Sequence, residues 1–335
     1  MTEKISQEYK DKLYSYQIGN VSNIIRILKS NNSVLDASDT GTGKTYTAIA
    51  ACAQLKLKPI VICPRSVIFT WKNVSKIFKI EPFFIANYET LKHGKYYNNK
   101  GKRVKCPYLF FDSKTENKFN MYSWKFNQKD KENLIFIFDE VHKCTNFDTQ
   151  NGQLLLSAKN TGIPMMILSA TIADKPEKIK MFSYILNFID KSVQEKQNLT
   201  FEQYINVIDK WLFRGTTPMV RIHNMIYPDR GTRMRIDNIE GFPETQILPV
   251  PYTIDKKTES EIEKEYESIR NLLDELKEKK FKDKGNILVK VLRAHQKIEL
   301  LKMPLFIELT KEFRNEGKSV VIFVNFTDSL KTLSK

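Results

Sequence analysis

Four short runs of consecutive apolar residues stand out along the chain: Pro59–Cys63, Leu134–Phe138, Met165–Leu168 and Ser319–Val324. They do not alternate with polar residues, and they are rich in Ile, Val and Phe. Strands of a parallel sheet read this way when helices cover both faces. Helical spacing occupies the stretches between them, at Lys44–Leu55, Val67–Phe78, Gln150–Ala158 and Pro176–Phe188. The alternation predicts an α/β domain with a doubly wound parallel sheet. Two segments break the pattern. Residues 92–133 carry many Lys, Asn, Tyr and Phe residues without a clear period, as an insertion or long loop does, and residues 190–255 show only weak periodicity. Beyond them, Ile262, Tyr266, Ile269, Leu273 and Leu276 recur at helical spacing within the charged stretch 256–284, which predicts one long helix packing one stripe on its own protein. A last helix over Pro304–Arg314 leads into the Ser319–Val324 strand.

In a doubly wound sheet, ligands gather beyond the carboxyl ends of the strands. Three polar groups stand at such positions. Ser38 to Thr45 follow Val34-Leu35, Asp139-Glu140 follow Phe138, and Ser169-Ala170-Thr171 follow Leu168. In the first group, Gly41 and Gly43 let the backbone fold tightly around one point, between Thr40 and Thr42. Lys44 adds a positive charge there, Thr45 offers a hydroxyl to a magnesium ion, and the helix from Lys44 aims the positive end of its dipole at the same place. This is a triphosphate cradle, with Ser38 where the motif usually begins with glycine. An acid at Asp139 can hold magnesium, and a second at Glu140 can align or deprotonate a water. Alone, the pair reads better as a surface Asp-Glu pair capping a loop, and Thr171 and Asp174 could simply cap a helix. Together with the glycine loop they point to a site that binds and hydrolyses a nucleoside triphosphate with Mg2+.

The chain has 335 residues and a net charge of +15, which suggests a polyanionic partner, with nucleic acid first among them. The abundance of Lys, Asn and Ile also fits an AT-rich genome, such as that of a large DNA virus. Cys52, Cys63, Cys106 and Cys144 form no short C-x-x-C spacing, so a zinc site is not expected and free thiols in a reducing, intracellular compartment are. The sequence carries no signal-peptide pattern and no apolar run of membrane-spanning length. The basic, aromatic stretch from Lys92 to Lys105 reads either as a solvated loop or as one that tracks a phosphate backbone.

In order and spacing these segments resemble the superfamily-two helicases, and within them the Swi/Snf-like DNA-dependent ATPases. Leu13-Tyr14-Ser15-Tyr16-Gln17 resembles the entry motif, which implies that Gln17 reads adenine. Ser38–Thr45 is similar to the first motif, Asp139-Glu140-Val141-His142 to the second and Ser169-Ala170-Thr171 to the third. Residues 61–67 with Trp71-Lys72 resemble the segment that grips a nucleic-acid strand, and Asn87–Leu91 the next strand-contacting motif. Phe242–Thr245, Leu292–Gln296 and Val320–Asp328 resemble, more loosely, the passage into a second motor domain. The resemblance implies a RecA-like P-loop NTPase domain over residues 1–190, a mostly helical linker over 191–302 and an incomplete second RecA-like domain over 303–335. It also implies a role for each site residue. Gln17, Thr40–Thr45 and His142 contact the nucleotide, Lys44, Asp139 and Glu140 act in catalysis, and Thr45 and Asp139 hold magnesium. Arg65, Trp71, Lys72, Ser169 and Thr171 couple that site to the nucleic acid, duplex DNA before RNA. No arginine matches the finger that the family draws from its second motor domain. The expectation is therefore a motor needing a second domain, from a separate polypeptide if need be, or alternatively a non-catalytic nucleic-acid-binding module derived from a helicase.

Overall fold

The computed structural model describes residues 4–334, apart from 99, 112–120, 173–174, 191–192, 194–196, 198, 213, 245, 250 and 279–283. Asp174 and Thr245, singled out in the sequence, thus lie outside the described residues. The chain divides into two compact units, Met1–Pro243 and Glu244–Lys335.

The first unit is built on six parallel strands: β1 (Ser33–Asp36), β2 (Lys58–Cys63), β3 (Phe84–Asn87), β4 (Leu134–Asp139), β5 (Met165–Leu168) and β6 (Gly231–Thr232), in the spatial order β6-β1-β5-β4-β2-β3. Successive strand residues point to opposite faces, and the continuous apolar runs divide accordingly. Leu35, Ile60, Ile62, Phe136, Phe138 and Ile167 enter one buried cluster, with the helices Gln150–Lys159, Ile179–Ile185 and Phe201–Leu212. Val34, Val61, Cys63, Ile135, Ile137 and Met166 enter the other, with the helices Ser15–Asn31, Lys44–Leu55 and Ile68–Ile77. Both faces are therefore covered, and all four cysteines are free and buried.

Described residues of the weakly periodic region up to Pro243 pack on this sheet. Residues 201–226 supply two helices to the first cluster, and the two-residue β6 pairs with β1, so the first unit runs to Pro243, well past residue 190. Within 92–133, two antiparallel ribbons form, Lys95–Tyr97 with Arg103–Lys105 and Leu109–Phe111 with Tyr122–Trp124.

The second unit is helical among its described residues. The expected single helix over 256–284 is instead Lys256–Glu278, packed against a second helix, Lys284–Leu301. Ile262 and Ile269 meet Ala294 and Ile298 between them, the internal packing that the stripe predicts. Helix Met303–Asn315 follows as expected. The strand expected at Ser319–Val324 does not form: no described strand of this unit offers a ladder partner, and Val321 and Phe323 are 75% and 90% exposed. The Glu299 carboxylate holds the end of this segment, accepting from the N–H groups of Asn325 and Phe326.

Candidate nucleotide-binding site

Strand register assembles the site. Asp36 of β1 lies level with Leu168 of β5, and Leu168 lies level with Asp139 of β4. The segments that leave these three neighbouring strand ends are Ser38–Thr45, Ser169–Thr171 and Glu140–His142. At two strand spacings, Asp36 and Asp139 stand about 10 Å apart across the sheet.

The glycine loop leaves β1 and enters its helix at Lys44, as predicted. Gly41 and Gly43 both have φ of +89°, a left-handed conformation that a side chain would strain. A Cβ on Gly43 would also lie 2.2 Å from Gln17 Nε2. The Lys44 ammonium donates to the carbonyls of Ser38 (2.8 Å) and Asp39 (3.3 Å), inside the curl of the loop. Thr40 and Gly41 are exposed, Thr42 is buried, and Thr45 is half-buried in the first helical turn. Gln17 is buried over the loop: its Nε2 donates to the Thr42 carbonyl at 2.9 Å, and its Oε1 accepts from the Tyr14 N–H at 2.9 Å.

Asp139 is 9% exposed. Burial pushes its carboxyl above the ordinary range, while a hydrogen bond from Trp71 and the charge of Lys44 pull it back. Trp71 is fully buried and donates from its indole nitrogen to Asp139 Oδ2 at 2.9 Å. It therefore cannot touch a nucleic-acid strand, contrary to the expectation for that segment; it orients the acid. Arg65 and Lys72, from the same segment, are exposed. Tyr88 is likewise internal, donating its hydroxyl to the Asp139 carbonyl at 2.7 Å.

Glu140 sits at φ +53°, a left-handed position for a residue with a side chain. Such strain costs about 1–3 kcal/mol and collects at functional sites. His142 Nδ1 lies 3.2 Å from Glu140 Oε2 and 3.1 Å from Ser169 Oγ. The Ser169 hydroxyl is buried and donates to the Thr171 carbonyl at 2.7 Å, so the proton between His142 and Ser169 belongs to Nδ1. The second and third motifs are thereby joined through His142, and Thr171 stands exposed at the end of that chain.

Two sets of site residues escape sequence reasoning. Asp36, fully buried, accepts from Ser38 N–H (3.0 Å), Ser38 Oγ–H, Asn20 Nδ2 (3.1 Å) and Thr47 Oγ1 (3.2 Å). Burial raises its carboxyl, and these donors oppose the shift. It ties the helices Ser15–Asn31 and Lys44–Leu55 to the root of the glycine loop. The second set comes from residues 231–242, within the stretch expected to be linker. Asp39 N–H donates to the Met234 carbonyl, Met234 N–H to Ser38 Oγ, and the Asp39 carboxylate meets Arg233 at 2.9 Å and Ile236 N–H at 3.1 Å. Burial pushes Asp39 up, and Arg233 and Ile236 outweigh that, holding it below the ordinary carboxylate range. A Cβ on Gly41 would lie 3.5 Å from the Phe242 ring.

Asp36→Ala leaves the Asn20 amide and the Ser38 donors without their acceptor, while the Thr47 hydroxyl keeps the Lys44 carbonyl at 2.9 Å. We expect a loss of at least about 2 kcal/mol, since each orphaned buried donor costs about 1–3 kcal/mol. Thermal unfolding of the first unit should fall by about 4–8 °C. Asp36→Asn, neutral and of the same shape, should cost less, and equal losses in the two variants would show that the carboxylate's acceptor count is not what matters.

A phosphate loop, an acid pair and a hydroxyl motif on adjacent ends of a parallel sheet define the class: a P-loop NTPase domain of RecA-like fold. Residues 10–174 match the family model described as type III restriction enzyme, res subunit. A protein of Acanthamoeba polyphaga mimivirus named as an ATP-dependent RNA helicase is 35% identical over 98% of this chain and 63% of its own length. One of Plasmodium falciparum named as an ATP-dependent helicase is 26% identical over 48% of this chain and 8% of its own length. Among solved structures, the Sulfolobus solfataricus SWI2/SNF2 ATPase core in complex with double-stranded DNA aligns at a TM-score of 0.47 with 18% identity, over 99% of this chain and 71% of that one. The chain is thus similar to named ATP-dependent helicases over nearly its whole length, and its residues 10–174 carry the matched family model. It spans less than two thirds of the length of the first of these relatives.

Proposed function

We propose that this chain is the ATP-binding motor of a nucleic-acid helicase or translocase, acting on duplex DNA. The observation that supports the reading is the level register of three strand ends, from which the glycine loop, the acid pair and the Ser169 segment all leave, together with the bond of His142 to Ser169. A non-catalytic binding module would need neither the acid pair nor its buried support from Trp71 and Tyr88.

Phosphates of ATP seat on Gly41–Thr45, with adenine toward Gln17. A magnesium ion fits the donor set: Asp139 is a carboxylate held in a dry site beside a cation, and Thr45 presents a half-buried hydroxyl in the first helical turn. Thr45 and Asp139 would hold it, and it would neutralise charge building on the phosphate oxygens. Glu140 positions the attacking water, held in turn by His142. Arg65 and Lys72 grip phosphates of the nucleic acid, which gives affinity with little sequence reading. A second motor domain, in the same or another polypeptide, supplies the remaining transition-state charge.

The test is ATP hydrolysis with duplex DNA, with duplex RNA and with neither. DNA should raise turnover by at least about tenfold over the basal rate. Stimulation by RNA alone would move the substrate assignment to RNA. DNA binding indifferent to ATP, with no turnover in the full-length assembly, would favour the module instead.

A further inference from the structure

A cavity of about 960 Å³ opens beside β3, the last strand of the sheet, between the helix Ile68–Ile77 and the ribbon that contains Lys95–Tyr97. It is remote in sequence from the glycine loop and the acid pair, and no residue of either lines it. Four lysines, Lys72, Lys76, Lys79 and Lys100, line it against one acid, Glu81. Only Lys79 among them has a carboxylate partner, Glu8 at 3.4 Å, among the described residues.

Five aromatic side chains, Phe83, Phe84, Tyr96, Tyr97 and Tyr108, line much of the remaining wall, and they pack on one another or on Arg65. Tyr108 stacks on Phe84 with centroids 6.0 Å apart and packs on Phe83 at 4.7 Å, while Tyr96 packs on Phe84 at 5.7 Å. Tyr97 is half-buried, and the Arg65 guanidinium lies 5.4 Å from its ring. Arg65 follows β2 at the carboxyl end of the sheet, so one exposed cation leads from the site surface to the cavity's lip.

We infer that this cavity is a second nucleic-acid site, which takes a single strand. Lysines on a stacked aromatic wall combine the two interactions that hold unpaired nucleotides, phosphate neutralisation and base stacking. In a duplex the base faces are hidden, so an aromatic wall discriminates for a strand that has been opened. The free edge of β3 could instead pair with an acidic peptide, but the aromatic faces would then go unused. The inference rests on the nucleic-acid motor reading and adds to it a place for a displaced or unpaired strand.

The test is fluorescence anisotropy with a labelled oligothymidine and, separately, a labelled duplex, on the full chain. Tyr97→Ala should weaken oligothymidine binding about tenfold, and Tyr97→Phe should restore it, because stacking on one ring accounts for about that factor. The pair Lys76→Ala and Lys100→Ala should lower the salt slope of single-strand binding by roughly 1.4, at about 0.7 for each phosphate no longer neutralised. Duplex affinity in the lysine variant should stay within about twofold of the parent. Oligothymidine binding unchanged in both variants, with parent binding intact, overturns the groove assignment and leaves the motor reading standing. A parent chain that binds neither DNA form overturns both. Polyglutamate binding that the lysine variant loses, with oligothymidine binding unaffected, would assign the cavity to an acidic protein and overturn the inference.

Discussion

Lys44→Ala should lower ATP affinity by about two orders of magnitude and abolish turnover in the assembled motor. The lysine is the one cation inside the curl of the glycine loop, where its ammonium now rests on the carbonyls of Ser38 and Asp39. Those two carbonyls hold the place that a phosphate oxygen would take. Truncating one partner of a hydrogen-bonded charge pair costs about 2–5 kcal/mol, and about 2.8 kcal/mol corresponds to a hundredfold change in dissociation constant. The fold should survive, since Lys44 is half-buried and its side chain bonds only to loop carbonyls, not to the sheet or its core. Titration with a fluorescent ATP analogue measures the affinity, and thermal unfolding checks that stability moves by no more than about 1 kcal/mol, as for a substitution near the surface. An affinity within threefold of the parent, on an intact fold, would remove the phosphate site from this loop.

How far the site could be read from sequence depended on how many residues carried each signal. The strand ending at Asp139 announced itself because five apolar residues, Leu134–Phe138, precede two acids, and the structure buries all five. The helix from Lys44 to Leu55 was legible to its ends because Gly43 starts it in a left-handed turn. Tertiary contacts decided the rest. Strand β6 is two residues long, too short to show any period, yet it brings Arg233 and Ile236 onto Asp39. Trp71 has the neighbours of a strand-gripping residue, but its place on the inner side of its helix turns it to Asp139. Asp36 carries no motif of its own, and only the packing of the helix Ser15–Asn31 shows that Asn20 meets it. Ser319–Val324 has the composition of a strand, but composition cannot supply the neighbour that a ladder requires. The glycine loop, the acids and Ser169 could be read because each is consecutive in sequence. Their supports could not, because they arrive from up to about two hundred residues away.

Glu140→Gln should separate binding from chemistry. The carboxylate lies 3.2 Å from His142 Nδ1, whose proton goes to Ser169 Oγ, and glutamine keeps the size and shape of glutamate, so the loop should keep its shape. ATP affinity should stay within about twofold, because Lys44 and the loop N–H groups carry the phosphate contacts. Turnover should fall by about 10²–10⁴, the usual contribution of a positioned general base. The backbone gives this prediction a second arm. Glu140 is held at φ +53°, so Glu140→Gly relieves the strain and should raise stability by about 0.5–1 kcal/mol while turnover is still lost. A residue retained merely to cap the strand end would behave in the opposite way: glycine would leave turnover near the parent rate, and glutamine would have no effect. Single-turnover hydrolysis on the assembled motor, alongside thermal unfolding of each variant, reads both arms. Loss of turnover together with a gain in stability is the signature of a carboxylate kept at a strained position for chemistry, with His142 passing its state through Ser169 to the exposed Thr171 and so toward the nucleic acid.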